Sequence, residues 1–151
     1  MTPTAVNTLR LRRPDDWHVH LRDGAALAAV VRFTAQRFGR AIVMPNLKPA
    51  ITTAALARAY RERIVAALPA KARFEPLLTL YLTDATTADE IDRARATGFI
   101  HGVKLYPAGS TTHSDAGVSD VAKVARVLAR MEEIGMPLLV AWQAKVDRRS
   151  Q

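Results

Sequence analysis

Short apolar runs alternate with longer amphipathic segments along most of this chain, a pattern typical of strands that alternate with helices. The amphipathic segments repeat their apolar residues at intervals of three and four, the period of a helix with one buried face. The pattern therefore predicts an α/β fold with a parallel sheet. The predicted strands are 16–21, 41–44, 74–82, 100–106 and 137–140, and the predicted helices are 25–38, 53–68, 87–98 and 120–134.

Capping residues support these helix boundaries. Thr52 or Thr53 can cap the second helix, and the run from Thr87 to Glu90 is a capping box whose hydroxyl and carboxylate can bind backbone amides. The segment 107–117 follows the fourth strand and is rich in Gly, Ser, Thr and Asp, so we expect a mobile loop there.

Five strands and four helices in this order fit two architectures. One is a complete flavodoxin-like sheet, and the other is the first part of a (β/α)8 TIM barrel, which normally needs roughly 250 residues. In both, ligands bind at the carboxyl ends of the strands, which is where polar residues collect in this sequence. These residues are His18, His20, Arg22, Asn46 and Lys104.

The first predicted strand separates polar from apolar side chains, because alternate residues of a strand point to opposite faces. We expect the apolar face to be buried and the two imidazoles of the polar face to bind a metal ion. Taken alone, the His-x-His motif is also typical of a half-buried strand with two solvated histidines. The polar face comprises His18, His20 and Arg22, and the apolar face comprises Trp17, Val19 and Leu21.

Lys104 lies in the middle of an otherwise apolar strand. If its amine is buried, desolvation lowers the pKa and leaves a neutral amine that can react with carbon dioxide. The resulting carbamate has two oxygens and can bridge two metal ions. A lone lysine on a strand is otherwise a surface side chain whose ammonium group reaches water.

Composition narrows the classes of protein. With 49% hydrophobic and 24% charged residues among 151, the chain is globular in composition. The formal net charge is +8, but the basic residues are scattered over helices, so we expect no nucleic-acid partner. No apolar run is long enough for a membrane span and no signal peptide is evident, so we expect a cytoplasmic protein. The absence of cysteine limits a metal site to nitrogen and oxygen ligands.

Four separated stretches carry the most specific motifs of the chain. They are DWHVHLRDG (16–24), GRAIVMPNLKP (39–49), VKLYPAGSTTHSDAGV (103–118) and MEEIGMPLLV (131–140). In order and spacing they resemble the dihydroorotase family, specifically its shorter bacterial type within the amidohydrolase superfamily. The resemblance covers roughly residues 8–140.

The resemblance implies the amino-terminal part of a (β/α)8 barrel that binds two zinc ions. It implies that the enzyme interconverts N-carbamoyl-L-aspartate and dihydroorotate in pyrimidine biosynthesis, and that the full-length enzyme is a homodimer. His18 and His20 would be ligands of the more buried zinc ion, and Lys104 would be the carboxylated lysine that bridges both ions.

The resemblance also implies residues that bind the small-molecule substrate. Arg22 and Asn46 match residues that hold the substrate carboxylate, and Thr111 and Thr112 match hydroxyls of a loop that closes over the substrate. The implied chemistry is metal-assisted hydrolysis of a cyclic amide.

The sequence departs from the family after Val140. Ala141 stands where the resemblance implies a zinc-ligand histidine, and we expect His101 and His113 to be structural or solvated rather than replacements. We therefore expect a barrel part over 1–140 and a non-matching tail over 141–151, as a frameshift or truncation would produce.

A partial barrel has unpaired strand edges and incompletely covered apolar faces. We expect such a chain to self-associate or remain partly molten and to lack useful hydrolase activity. The alternative is a small flavodoxin-like module that binds a metal or an anion without catalysis.

Overall fold

The strands of this protein form one parallel sheet in a computed structural model that describes residues 10–110 and 113–141. The strands are β1 (Asp16–Val19), β2 (Arg40–Val43), β3 (Glu75–Leu82), β4 (Ile100–Leu105) and β5 (Leu138–Val140). The helices are α1 (Gly24–Arg37), α2 (Ala54–Ala66), α3 (Ala88–Ala96) and α4 (Ala125–Glu133), the last preceded by a 3-10 turn, Val121–Val124.

The order of the strands decides the architecture. All neighbours are parallel and lie in chain order, β1-β2-β3-β4-β5. A flavodoxin-like sheet has the order 2-1-3-4-5 and carries helices on both faces. Consecutive order with right-handed crossovers places every helix on one face and curls the sheet toward a barrel. The chain forms a half-barrel that corresponds to the amino-terminal part of a TIM barrel, so the flavodoxin-like alternative is wrong.

The hydrophobic core fills the space between the convex face of the sheet and the helices. Alternate residues of β3 point into it, namely Leu78, Leu80 and Leu82, and each is at most 1% exposed. Burying a side chain of this size contributes about 1.5–3 kcal/mol. Tyr60 and Ile64 of α2 cover these leucines from the helix side of the same core.

Side-chain caps begin the helices where the sequence predicts them. The Thr53 hydroxyl accepts from the Leu56 amide at 3.2 Å, and the Thr87 hydroxyl accepts from the Glu90 amide at 3.3 Å. The Glu90 carboxylate, however, binds the Ala54 amide at 2.6 Å instead of turning back to Thr87. The start of α2 lies beside α3, and its first amide would otherwise lack an intrahelical partner.

The first strand differs from its prediction. It ends at Val19 rather than at residue 21, and Trp17 is 63% exposed although we expected its face to be buried. β1 lies at an edge of the described sheet, and its register with β2 shifts between Asp16 and Val19, so strict alternation of its side chains is interrupted. Leu21, in contrast, is fully buried.

Within the described ranges, no helix is long and apolar enough to cross a membrane.

Candidate metal centre

His18 and His20 lie on the concave face of the half-barrel. Val19 pairs with Val43 of β2, and both side chains pack in the core beneath the helices. His18 and His20 flank Val19 and their rings meet each other, so both side chains face away from the core that holds Val19.

Lys104 lies on the same concave face. It pairs with Tyr81 of β3, while the preceding pair, Leu80 and Val103, points into the core. Register and parity therefore place the lysine, as the sequence predicts, on the face that carries the histidine pair. In a half-barrel this face is curved inward, so side chains from separate strands converge.

The two imidazoles converge on a single point. Nε2 of His18 and Nε2 of His20 lie 3.2 Å apart, and the ring planes are tilted by 56°. Two nitrogens bound tetrahedrally to one zinc ion, at the usual bond length, lie about 3.3 Å apart. The separation of the two Nε2 atoms therefore fits two ligands of one ion.

Asn46 orients the second imidazole. Nδ1 of His20 lies 2.8 Å from Oδ1 of Asn46, and an amide oxygen can only accept, so Nδ1–H is the donor. This assignment leaves the lone pair of His20 on Nε2, the atom that faces His18. Asn46 follows the end of β2 and is 6% exposed, so its amide is held inside the protein.

Partial burial favours the neutral form of both imidazoles. Desolvation lowers the pKa of His18 and of His20, and the charge of Lys104 lowers both further. For His18 the carboxylate of Asp16 partly opposes this shift, and for His20 the Asn46 hydrogen bond does so. Only the neutral imidazole binds a metal ion, so both groups stay available as ligands to lower pH than an exposed histidine would.

Lys104 occupies an apolar, aromatic environment. It is 4% exposed, and its Nζ lies 5.6 Å from the ring centroid of Tyr106. That ring stacks on Tyr81 at 4.9 Å between centroids. Burial lowers the pKa of the Lys104 ammonium, which favours the neutral amine that carboxylation requires.

Arg22 reaches the site by a different route from the predicted one. The strand has already ended, and the Arg22 backbone is left-handed, with φ of 62°. The prediction that Arg22 continues the parity of the histidines is therefore wrong. The Tyr60 hydroxyl fixes this turn by donating to the Arg22 carbonyl at 2.6 Å. The exposed guanidinium still lies near enough to His20 to lower the pKa of that imidazole.

The loop after β4 packs against Tyr81 and Asn46. Pro107 pairs with Val118, which closes the loop at its base. Nearer its tip, the His113 carbonyl accepts from the Tyr81 hydroxyl at 3.2 Å, and His113 Nδ1 lies 3.4 Å from the Asn46 carbonyl. Thr111 and Thr112 lie outside the described residues.

Three residues near the site were not singled out as site residues from the sequence. Tyr81, Tyr106 and His113 border Lys104 or Asn46. The alternation of side chains along β3 and β4 could have identified Tyr81, because Tyr81 pairs with Lys104 and points to the same face of the sheet. The resemblance implied that the loop carrying His113 closes over the substrate, but it did not single out His113 as a neighbour of Asn46.

Few side chains at this site can bind a metal ion. Over 10–110 and 113–141, no three His, Cys, Asp or Glu side chains group together as metal ligands. The site in these ranges therefore consists of two imidazoles and one lysine, which becomes an oxygen ligand only when carboxylated. Ala141 lies at the end of β5, where its amide donates to the Leu105 carbonyl at 3.0 Å and its methyl group provides no ligand.

Comparisons with known proteins find matches along most of this chain. The model of the Amidohydrolase family matches residues 3–134. A dihydroorotase from Ralstonia nicotianae is 68% identical over 135 residues, and one from Methylobacillus flagellatus is 65% identical over the same length. Each alignment covers 89% of this chain, which spans only 39% of the length of either relative.

Solved structures show the same correspondence. A dihydroorotase from Campylobacter jejuni superposes with a TM-score of 0.81 at 35% identity, over 89% of this chain and 39% of that one. A Saccharomyces cerevisiae dihydroorotase in complex with 5-fluoroorotic acid gives a TM-score of 0.77 at 33% identity, over 84% of this chain and 35% of that one.

Proposed function

The chain belongs to the amidohydrolase family, and from this premise we propose that it carries the histidine pair and the buried lysine of a dihydroorotase site. The reaction is the reversible hydrolysis of a cyclic amide, dihydroorotate, to N-carbamoyl-L-aspartate in pyrimidine biosynthesis. One observation carries the proposal: the Nε2 atoms of His18 and His20 converge at 3.2 Å on the face that also holds Lys104.

His18 and His20 would hold the ion through their Nε2 atoms. Lys104 would add oxygen ligands after its neutral amine attacks carbon dioxide and loses a proton, which gives an anionic carbamate. Nitrogen and carbamate oxygen donors suit zinc, and the family resemblance implies two zinc ions in a complete site. A zinc ion held by these residues would polarise the amide carbonyl and lower the pKa of a water molecule. Within the described residues, His18, His20 and a carboxylated Lys104 would supply ligands for one ion.

Arg22 and Asn46 would bind the carboxylate of the substrate. A guanidinium presents a planar pair of donors to a carboxylate, and the Asn46 amide group adds a neutral donor through Nδ2. The fixed backbone of Arg22 supports this role, since the Tyr60 hydroxyl holds its carbonyl. The similar yeast enzyme binds 5-fluoroorotic acid, a ring that bears a carboxylate. Thr111 and Thr112 would contribute hydroxyls from the loop.

Zinc titration of the 151-residue chain tests the metal site. We expect one zinc ion per chain, measured by calorimetry against a competing chelator, and at least tenfold weaker binding in His20→Ala. His101→Ala is the matched control. His101 points to the opposite face of β4 from Lys104, so this substitution should leave zinc affinity unchanged. Equal zinc affinity in His20→Ala and the unsubstituted chain would refute the proposed site.

Carboxylation of Lys104 has an independent readout. In ¹³C-labelled bicarbonate with zinc present, we expect one carbamate carbon signal that Lys104→Met abolishes. Lys123→Met, at an exposed lysine, should keep the signal. We expect no measurable dihydroorotate turnover by this chain alone, since Ala141 supplies no ligand beside Lys104.

A further inference from the structure

Asn46 has a second task that its proposed contact with substrate does not explain. We infer that Asn46 is a positioning residue for His20, whose imidazole it fixes in the tautomer that directs a lone pair from Nε2 toward His18. As far as the ion is concerned, this inference rests on the proposed function. The tautomer itself is a property of the metal-free chain.

The hydrogen bond defines the tautomer. Oδ1 of Asn46 lies 2.8 Å from Nδ1 of His20 and can only accept, so the single proton of the neutral ring must lie on Nδ1. Without the acceptor, the proton is free to occupy Nε2, where it would point at His18 Nε2 only 3.2 Å away.

Asn46 is held firmly enough to perform this task. The carbonyl of Pro45, just before it, accepts from the amides of Leu47 at 2.9 Å and Ile51 at 3.0 Å. The His113 ring lies against the Asn46 carbonyl, and Asn46 is 6% exposed. The backbone is therefore anchored on both sides of Asn46, which reduces the entropy lost when the side chain is oriented toward His20.

An asparagine at position 46 suits both tasks, orienting His20 and binding the substrate, better than an aspartate would. A metal-bound histidine usually donates its second ring N–H to an acceptor, and removing that acceptor typically weakens metal binding 10- to 100-fold. Aspartate would also accept from His20, but its negative charge would repel an anionic substrate bound alongside Arg22. An amide accepts at Oδ1 and carries donors at Nδ2, so one side chain can serve both the ligand and the substrate.

Three substitutions test the inference in the 151-residue chain. Ring ¹⁵N shifts of metal-free protein at pH 8.5, where both histidines are neutral, report the tautomer of His20 directly. We expect the Nδ1–H form in the unsubstituted chain and in Asn46→Asp, and a shift toward Nε2–H in Asn46→Leu. Thr79→Val is the control, because it also replaces a fully buried polar side chain but one that donates to the Val43 carbonyl.

Zinc affinity gives the second readout. We expect Asn46→Leu to bind zinc about 10- to 100-fold more weakly, and Asn46→Asp and Thr79→Val to bind it at least as tightly as the unsubstituted chain. An unchanged His20 tautomer in Asn46→Leu, or a loss of affinity that Asn46→Asp does not restore, would overturn the inference. If the unsubstituted chain binds no zinc, the proposed function fails, and the tautomer measurement still decides the role of Asn46.

Discussion

At the scale of single residues, Asp84 fastens the end of the loop after β4 to the end of β3. Its carboxylate accepts from the Ser119 amide at 2.9 Å, the Ser119 hydroxyl at 2.5 Å and Lys123 Nζ at 2.8 Å. These three donors, with Lys123 foremost, lower the pKa of Asp84 to about 2. The loop base is therefore held by a carboxylate that stays ionised in mild acid.

The lowered pKa of Asp84 predicts a pH-dependent contribution to stability. The ionised carboxylate stabilises the fold fully above the ordinary aspartate pKa of 3.8, and this contribution is lost as the pH falls through the folded pKa of about 2. Asp84→Asn should therefore lower the urea midpoint at pH 6, and the deficit should shrink between pH 4 and pH 2. Asp115→Asn, at an exposed carboxylate of the same loop, should show no such deficit. A deficit of equal size at pH 6 and pH 2.5 would contradict the assignment.

At the scale of elements, Glu90 joins two helices. One oxygen accepts from the first amide of α2 at 2.6 Å, and the other binds Arg93 within α3 at 2.7 Å. The side chain of Glu90 is 12% exposed, whereas that of Arg93 is 61% exposed. The interhelix cap is therefore the partly buried interaction, and the ion pair with Arg93 is the solvated one.

Removal of this cap should destabilise the fold more than removal of the ion pair. We expect Glu90→Ala to lower the free energy of unfolding by about 1 kcal/mol, the usual effect of a lost helix cap. Glu90→Gln keeps an oxygen acceptor and should lower the free energy of unfolding by less than Glu90→Ala does. Arg93→Ala should lower it by under about 0.5 kcal/mol. Urea unfolding of the three variants tests the order. A larger loss in Arg93→Ala than in Glu90→Ala would show that the ion pair is the main contribution.

At the scale of the whole molecule, the outer strands of the half-barrel are the exposed part of the sheet. Leu138 and Val140 of β5 are 39% and 50% exposed, and they lie on the face that the other strands bury under helices. Within the described residues β5 pairs only with β4. An edge strand with exposed apolar side chains is a surface on which further strands can pair.

This edge predicts association of the 151-residue chain with itself. We expect sedimentation velocity to show species larger than the monomer that increase with protein concentration, and Leu138→Lys with Val140→Lys to reduce them, because charges on an edge strand oppose pairing. Val121→Lys is the control, since Val121 is 56% exposed but lies in the 3-10 turn before α4. Association that persists unchanged in the double variant would locate the contact elsewhere.

Much of this architecture follows from local pattern. The alternation of apolar runs with helical stripes predicted five strands and four helices, because each element must bury one face whatever its neighbours are. Strand parity alone placed His18 and His20 on one face. The apolar neighbours of Lys104 left open whether it is buried or reaches water, and the structure buries it, at 4% exposed.

Only the tertiary structure decided which elements meet. Sequential strand order set β1 beside β2, and this pairing brings Asn46 to His20 across 26 residues of sequence. The turn after β1 redirected Arg22, and the start of α2 drew Glu90 away from its own capping box. The sequence thus determined the period and the polarity of each element, which are local properties. Contacts between elements depend on strand order and on which unpaired backbone groups become neighbours, and neither is encoded in any single segment.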